Sequence, residues 1–392
     1  MQLDQLKARA AARVDDRAQL LDDLALRIHA RPELAFEEIH ACSLLCDTLE
    51  GDRLAVDRGV AGLSTAFRVD AGAGPGPTVA ILAEYDALPG VGHACGHNLI
   101  AAAALGAFLA VRDVIGEGGS RGSVRLLGCP AEERGNGKVA LIHSGEFSGV
   151  DAALMFHPGD RDELDPLMLA MVSLDVTFSG RAAHAAAEPH AGINALDGLV
   201  LGWNAIASLR QLVRSDSRIH GVITDGGSAA NIIPERAAAR LMVRSPDNAY
   251  LRELQDRVMA CFEGAAKATG CSLEHAWSDT CELVRSNGPL AEAFSANARA
   301  LGRDMRPRAP GDTHGSTDMG NVTTVVPGIH PFLAVTNGPV AGHSHDFAAA
   351  ACEPLALETM RLAAKAIAMT ACDVLCRPSL ARDIREAFDA SR

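Results

Sequence analysis

Between residues 83 and 98 the sequence gathers Glu84, Asp86, His93, Cys95 and His97, with Gly90, Gly92 and Gly96 among them to let the backbone turn. Cys95 and His97 flank a single glycine, so a thiolate and an imidazole can swing to one side and share a metal ion. Such sulfur and nitrogen donors suit zinc and its neighbours, and added carboxylates make a harder site that manganese or nickel can fill. Taken alone, the triplet reads equally well as a buried thiol and a capping histidine at a helix start. Two later stretches offer more ligands. Glu132 and Glu133 follow Cys129-Pro130-Ala131, and His157-Pro158 follows the run 151–156. Adjacent side chains at a strand end point to opposite faces, so one glutamate can grip a metal while the other reaches a water beside it. Pro158 bars further strand pairing behind His157. Singly these are a solvated acidic turn and an edge histidine. Together with Cys95 and His97 they are better explained by one site.

Those groups need elements to hold them. The apolar run Thr78–Leu82 reads as a buried strand and Leu99–Ile115 as a buried helix. Val124–Leu127 and Ala152–Phe156 read as further strands, separated by a helix over Gly137–His143. This alternation implies an α/β layer with a mostly parallel sheet and helices on both faces, ligands sitting at the strands' carboxyl ends. Upstream, Val14–His29 has apolar residues at helical spacing, a second helix lies near Glu37–Leu49, Val60–Val69 reads as a strand and Gly72–Pro77 as a turn. His29 and His40 read as solvated helix residues. From about residue 170 the pattern becomes β-α-β-β-α-β: strands over 171–179, 219–224, 236–243 and 272–277, helices over 191–213 and 250–268. That is the order of a split βαβ, ferredoxin-like α+β domain. The expected division is therefore a discontinuous domain of residues 1–169 and 283–392 interrupted by a second at 170–282. Beyond it come a helix over 289–301, a strand near 322–326, a His-rich loop over 338–347, and a long helix opened by Pro354.

Composition narrows the class. The 392 residues, 48% hydrophobic, provide more core than one ordinary domain needs. A formal charge of −13 argues against nucleic acid or an anionic membrane as partner. No run of about twenty apolar residues is evident, and the N-terminus lacks an apolar signal core. Ten cysteines at irregular spacing suit reduced thiols in a cytoplasmic protein.

The chain as a whole, from His29-Ala30-Arg31-Pro32-Glu33-Leu34 to its last helices, resembles the M20 family of metallopeptidases and amidohydrolases. The resemblance rests on His-Ala-Cys-Gly-His at 93–97 and Pro-Ala-Glu-Glu at 130–133. Glu84 and Asn98 stand where hippurate and auxin-conjugate hydrolases carry Asp. Together with Gly315-Ser316-Thr317-Asp318-Met319-Gly320 and Pro327-Gly328-Ile329-His330-Pro331, they make the sequence more similar to p-aminobenzoyl-glutamate hydrolases and β-alanyl-lysine dipeptidases. The resemblance implies two divalent ions, zinc or manganese with nickel or cobalt as alternatives, held by Cys95, His97, Glu133, His157 and His343. His343 rather than His345 is implied because it stands four residues before Phe347. It implies Glu132 as general base toward a water activated between the ions, and Asp86 as the residue orienting His97. In the inserted lid and dimerisation domain it implies His184 as donor to the reaction's oxyanion, in cis or across a homodimer, with Asn231 and Arg244 holding a substrate carboxylate; His190 and His220 are given structural roles. The expected substrate is an N-acyl amino acid or dipeptide with a free carboxylate. Two rival readings are a thiol hydrolase using Cys95 and a non-catalytic metal-binding protein on the same fold.

Overall fold

In the computed structural model, which describes residues 3–72, 74–115, 121–309, 312 and 314–391, the chain opens with two helices, α1 (Leu3–Asp15) and α2 (Ala18–Ala30). Each buries one stripe: Leu6, Ala10 and Val14 on the first, Leu21, Leu24 and Ile28 on the second. Then follow α3 (Ile39–Gly51), β1 (Asp57–Arg58), a 3₁₀ turn at Val60–Gly62 and β2 (Phe67–Gly72). The expected strand over 60–69 is thus mostly a turn, because Ala61 and Gly62 both take positive φ. Next come β3 (Thr78–Glu84), α4 (His97–Ile115), β4 (Ser123–Cys129), α5 (Gly137–His143), β5 (Ala152–Leu154) and β6 (His157–Gly159).

Met168–Leu283 form one compact unit, and Met1–Leu167 with Val284–Arg392 form the other. The former contains β7 (Ala170–Ser179), α6 (Ala195–Leu209), β8 (Arg218–Asp225), β9 (Arg236–Ser245), α7 (Asn248–Thr269) and β10 (Ser272–Trp277). Its strands lie in the order β10-β7-β9-β8, all antiparallel. Val172, Leu174, Val176 and Phe178 alternate along β7 into a core shared with Leu199 and Ile206 of α6 and Leu254, Val258 and Phe262 of α7. The helix expected over 191–213 starts only at Ala195, since the Asn194 side chain accepts the N–H groups of Leu196 and Asp197 as an N-cap.

The chain then completes the first unit with α8 (Gly288–Ala300), α9 (Met319–Val325), β11 (Gly328–Ile329), β12 (Phe332–Ala334), α10 (His345–Ala350), α11 (Pro354–Cys376) and α12 (Pro378–Ala390). Its central sheet has the order β1-β2-β4-β3-β5-β11. The pairs β3–β4, β3–β5 and β5–β11 are parallel, whereas β1 and β2 join antiparallel at the edge. Val79 to Glu84 are all buried, which explains an unbroken apolar run rather than an alternating one.

Two expectations are corrected. Residues 322–326 fall largely in α9, not in a strand: β-branched Val-Thr-Thr-Val favours a strand locally, but Thr323 and Thr324 donate back to Gly320 O at 3.0 and 2.9 Å. The helix that results carries Asp318 at its start against α5. Secondly, α4 is long and apolar enough to cross a membrane. Alanines at 101–104, 107 and 110 let it pack closely, and in this fold it is a core helix buried on nearly every side.

Candidate metal centre

The site starts where β3 ends. Asp86 leaves the strand fully buried and accepts from two directions: His97 Nδ1 lies 3.0 Å from Oδ1, and the Glu133 backbone N–H donates to Oδ2 at 2.9 Å. One carboxylate thus ties the start of α4 to the turn after β4. Gly96 has φ of +74°, and a Cβ there would stand 2.8 Å from Pro158 Cγ, so this position needs glycine on both counts. The 130–133 turn is pinned at its other side as well. Ala131 takes φ of +61° and donates its N–H to Glu38 Oε1 at 2.8 Å. Glu38 also accepts from Phe36 N at 2.9 Å and Thr65 Oγ1 at 2.8 Å. Glu132 therefore sits between two anchored residues.

Five of the expected ligands converge. The ligand-capable atoms of Cys95, His97 and His157 lie within 4.8 Å of one another, as do those of Cys95, Glu133 and His343, and those of His97, Glu132 and Glu133. His343, at φ of +60°, brings Nε2 to 3.0 Å from Cys95 Sγ and 3.7 Å from Glu133 Oε2. With Nδ1 engaged by Asp86, the His97 ring aims Nε2 at Glu84 Oε2 and Glu133 Oε1, 3.6 and 4.0 Å away. Those three facing atoms are buried and hydrogen-bonded to nothing. Buried lone pairs turned toward one another without a donor between them fit a cation. His157 donates Nδ1–H to Pro158 O at 2.7 Å, which leaves Nε2 as its free donor atom.

Burial would lower the His97 imidazole, but Asp86 and then Cys95 hold it well above its ordinary value. Burial drives the Glu132 carboxyl well up, with Glu84 and Glu133 adding to the effect. His157 is pushed down to about 4, chiefly by burial and then by His97, and burial raises the Cys95 thiol.

Sequence reasoning missed the groups beneath this cluster. Lys138 is fully buried, with Nζ bonded to Glu84 and, at 2.5 Å, to Asp318 Oδ1. His330 packs edge-on against His157 with ring centroids 5.4 Å apart. Glu84 and Asp318 stand out in the sequence only as parts of longer motifs, and a lone lysine at a helix start gives no sequence signal.

His184, Asn231 and Arg244 belong to the other unit. His184 is exposed and bridges to Ile232; its Nδ1 accepts the N–H groups of Ala186 and Ala187, each at 3.2 Å. Asn231 O accepts from Ala185 N at 3.0 Å, so His184 and Asn231 share one end of the sheet. Arg244 does not join them. It pairs in register with Met171 at the far end of β7 and β9, whereas the His184 end is marked by Ser179 and Arg236. The strand between the two ends spans roughly 25 Å at about 3.3 Å per residue. A cavity of about 470 Å³ lies at the His184 end, lined by Ala185, Asn194, Gly227, Ile232 and Pro234 among others. In the first unit a cavity of about 210 Å³ adjoins Glu133, with Leu34, Glu37, Ala87, Pro89 and Arg134 around it.

Comparison with known proteins accords with this geometry. Residues 80–371 match Peptidase family M20/M25/M40. The chain is 38% identical to the Xaa-Arg dipeptidase of Mus musculus over 99% of its own length and 93% of that protein's. It is 34% identical to one of the p-aminobenzoyl-glutamate hydrolase subunits of Escherichia coli, over 70% of this chain and 61% of that one. A solved dinuclear metal-binding M20 peptidase from Bacillus subtilis shares the fold, with a TM-score of 0.72 at 22% identity over 92% of this chain and 99% of that one. A match of that extent, together with relatives of that identity, places the chain in peptidase family M20/M25/M40.

Proposed function

We propose that the chain hydrolyses the amide bond of dipeptides, or of N-acyl amino acids, that carry a free carboxylate. Membership of the family makes it a metal-dependent amidohydrolase or dipeptidase; the substrate class is the proposal, and similarity to a dipeptidase along nearly the whole chain favours dipeptides. The observation that carries the reading is the set of buried, mutually facing lone pairs on His97, Glu133 and Glu84 beside an anchored Glu132.

Cys95, His97, Glu133, His157 and His343 would hold two divalent ions, zinc or manganese, which when bound polarise the scissile carbonyl and make water more acidic. Glu132 supplies the proton traffic. Held between the anchored Ala131 and Glu133, its carboxylate can take a proton from the attacking water and return it to the departing amine. Asp86 keeps the proton of His97 on Nδ1 and so keeps Nε2 for the ion. His184 is prepared as a donor: two backbone N–H groups occupy Nδ1, which leaves its proton on Nε2, ready for a carbonyl oxygen gaining charge. Arg244 offers a two-pronged guanidinium for the free carboxylate.

The span of β9 separates His184 from Arg244, so one small substrate cannot touch both in the same chain. We therefore take the active form to be a homodimer in which His184 and Asn231 of one chain serve a substrate held by Arg244 of the other. The thiol-hydrolase alternative is disfavoured because it leaves Glu133, His157 and His343, gathered around Cys95 and His97, without a role. The test is hydrolysis of a panel of dipeptides, N-acyl amino acids and their C-terminal amides by manganese- or zinc-loaded protein, read by mass spectrometry. Cleavage of free acids and neglect of amides is expected. Equal cleavage of both would overturn the carboxylate requirement, and no cleavage of any panel member would overturn the substrate class.

A further inference from the structure

Lys138 lies in the first turn of α5, directly under the 130–133 turn: Gly137 approaches Pro130 so closely that a Cβ would stand 1.9 Å from its carbonyl oxygen. From there its side chain is wholly buried. The ammonium is bonded to Glu84 Oε1 and to Asp318 Oδ1, and the Lys138 backbone N–H donates to Asp318 Oδ2 at 3.0 Å. Glu84, Asp318 and Glu132 are themselves arranged as a ligand set, with ligand-capable atoms within 4.8 Å of one another. Oxygen-only sets of this kind suit hard divalent cations. The remaining oxygen of Glu84 is buried, lacks a hydrogen-bond partner, and faces His97 Nε2 at 3.6 Å.

Removing one partner from a buried ion cluster leaves uncompensated charge, which is far more costly than an unpaired group at the surface. Burial opposes charging Lys138, yet Asp318 and Glu84 hold it well above its ordinary value, which favours the ammonium form. Without it, the carboxylates of Glu84, Asp318 and the partly buried Glu132 would face one another with no cation among them. A divalent ion would be the natural replacement, and it would recruit Glu132 as a ligand.

We infer that Lys138 is a tethered cation standing where a third divalent ion would otherwise bind, and that by excluding that ion it leaves Glu132 free to carry protons. Lys138 is thus a positioning residue, and the inference rests on the dinuclear reading proposed above. It also gives Asp318 and Oε1 of Glu84 a purpose: they hold the ammonium in place of coordinating a third metal ion.

The experiment counts metal per chain by inductively coupled plasma mass spectrometry after gel filtration from excess Mn²⁺, with dipeptide hydrolysis measured in parallel. Wild type should retain two ions. Lys138→Met should retain three, and its kcat should fall about 10²-fold with KM little changed, because Glu132 is then sequestered from proton transfer. Lys138→Gln keeps N–H donors for both carboxylates but removes the charge, and should behave in the same way. If either variant folds, keeps two ions and turns over normally, the inference is wrong. Should both fail to fold, recovery of folding in excess Mn²⁺ supports it, whereas no recovery makes Lys138 a structural ion-pair partner only. Absence of bound metal in wild type would instead count against the dinuclear reading itself.

Discussion

In the proposed reaction Glu132 and Glu133, neighbours in sequence, carry different duties, and substitution separates them. Glu132→Gln should keep its metal and lose at least ~10²-fold in kcat. Glu133→Gln should lose metal as well, since Glu133 faces both His97 and His343. Metal analysis beside kinetics decides this, and equal metal loss in both variants would show the roles to be merged. A pH effect belongs to His93, whose imidazole is pushed down to about 3 by burial and then by His97 and His29. Its folded value lies below the ordinary 6.5, so the fold favours the neutral ring. The stability this confers is intact above about 6.5 and is lost as pH falls toward 3. His93→Phe should therefore flatten the decline of Tm between pH 6.5 and 4 relative to wild type, both measured metal-free so that the ligands titrate alike in the two proteins. An unchanged slope would assign the acid sensitivity to other groups.

At the level of elements, the turns do the positioning. Gly96→Ala adds a Cβ 2.8 Å from Pro158 Cγ at a residue with φ of +74°. It should cost roughly 1–3 kcal/mol for the backbone alone, and should weaken metal retention, because Cys95 and His97 flank it. Thermal melts and metal content test both halves. The elements that carry the ligands were legible because their signals are local. An unbroken apolar run marks β3, its burial on both faces being the cause, and small-residue richness marks α4. The expected starts of α6 and α7 are 191 and 250, whereas the side chains of Asn194 and Asp247 cap helices that begin at Ala195 and Asn248. What was hidden depends on distant partners. The run at 322–325 is helical although its residues favour a strand, and Asp318 at its head meets a lysine 180 positions earlier in sequence. Lys138 and Glu38 act through buried hydrogen bonds to residues remote in the chain, which no spacing rule encodes.

For the whole molecule, the placement of His184 and Arg244 at opposite ends of one antiparallel sheet is what motivates a dimer with shared sites. Its exposed edge strand β8 and the symmetry common to homo-oligomers make such pairing reasonable. Mixing inactive Glu132→Gln chains with inactive His184→Ala chains should restore one working site per heterodimer. Verified heterodimers that stay inactive would restrict His184 to its own chain or remove it from the reaction. Arg244→Ala should raise KM for free-acid substrates and leave any residual cleavage of the amides little affected. All of this depends on the claim that the convergence of Cys95, His97, Glu133, His157 and His343 exists to hold metal. The most direct measurement is turnover of a cleaved dipeptide by protein stripped with a strong chelator and then titrated with Mn²⁺ or Zn²⁺. The account predicts no turnover in the stripped protein and recovery that saturates at two ions per chain. Full turnover by metal-free protein, abolished when Cys95 is alkylated, would contradict it.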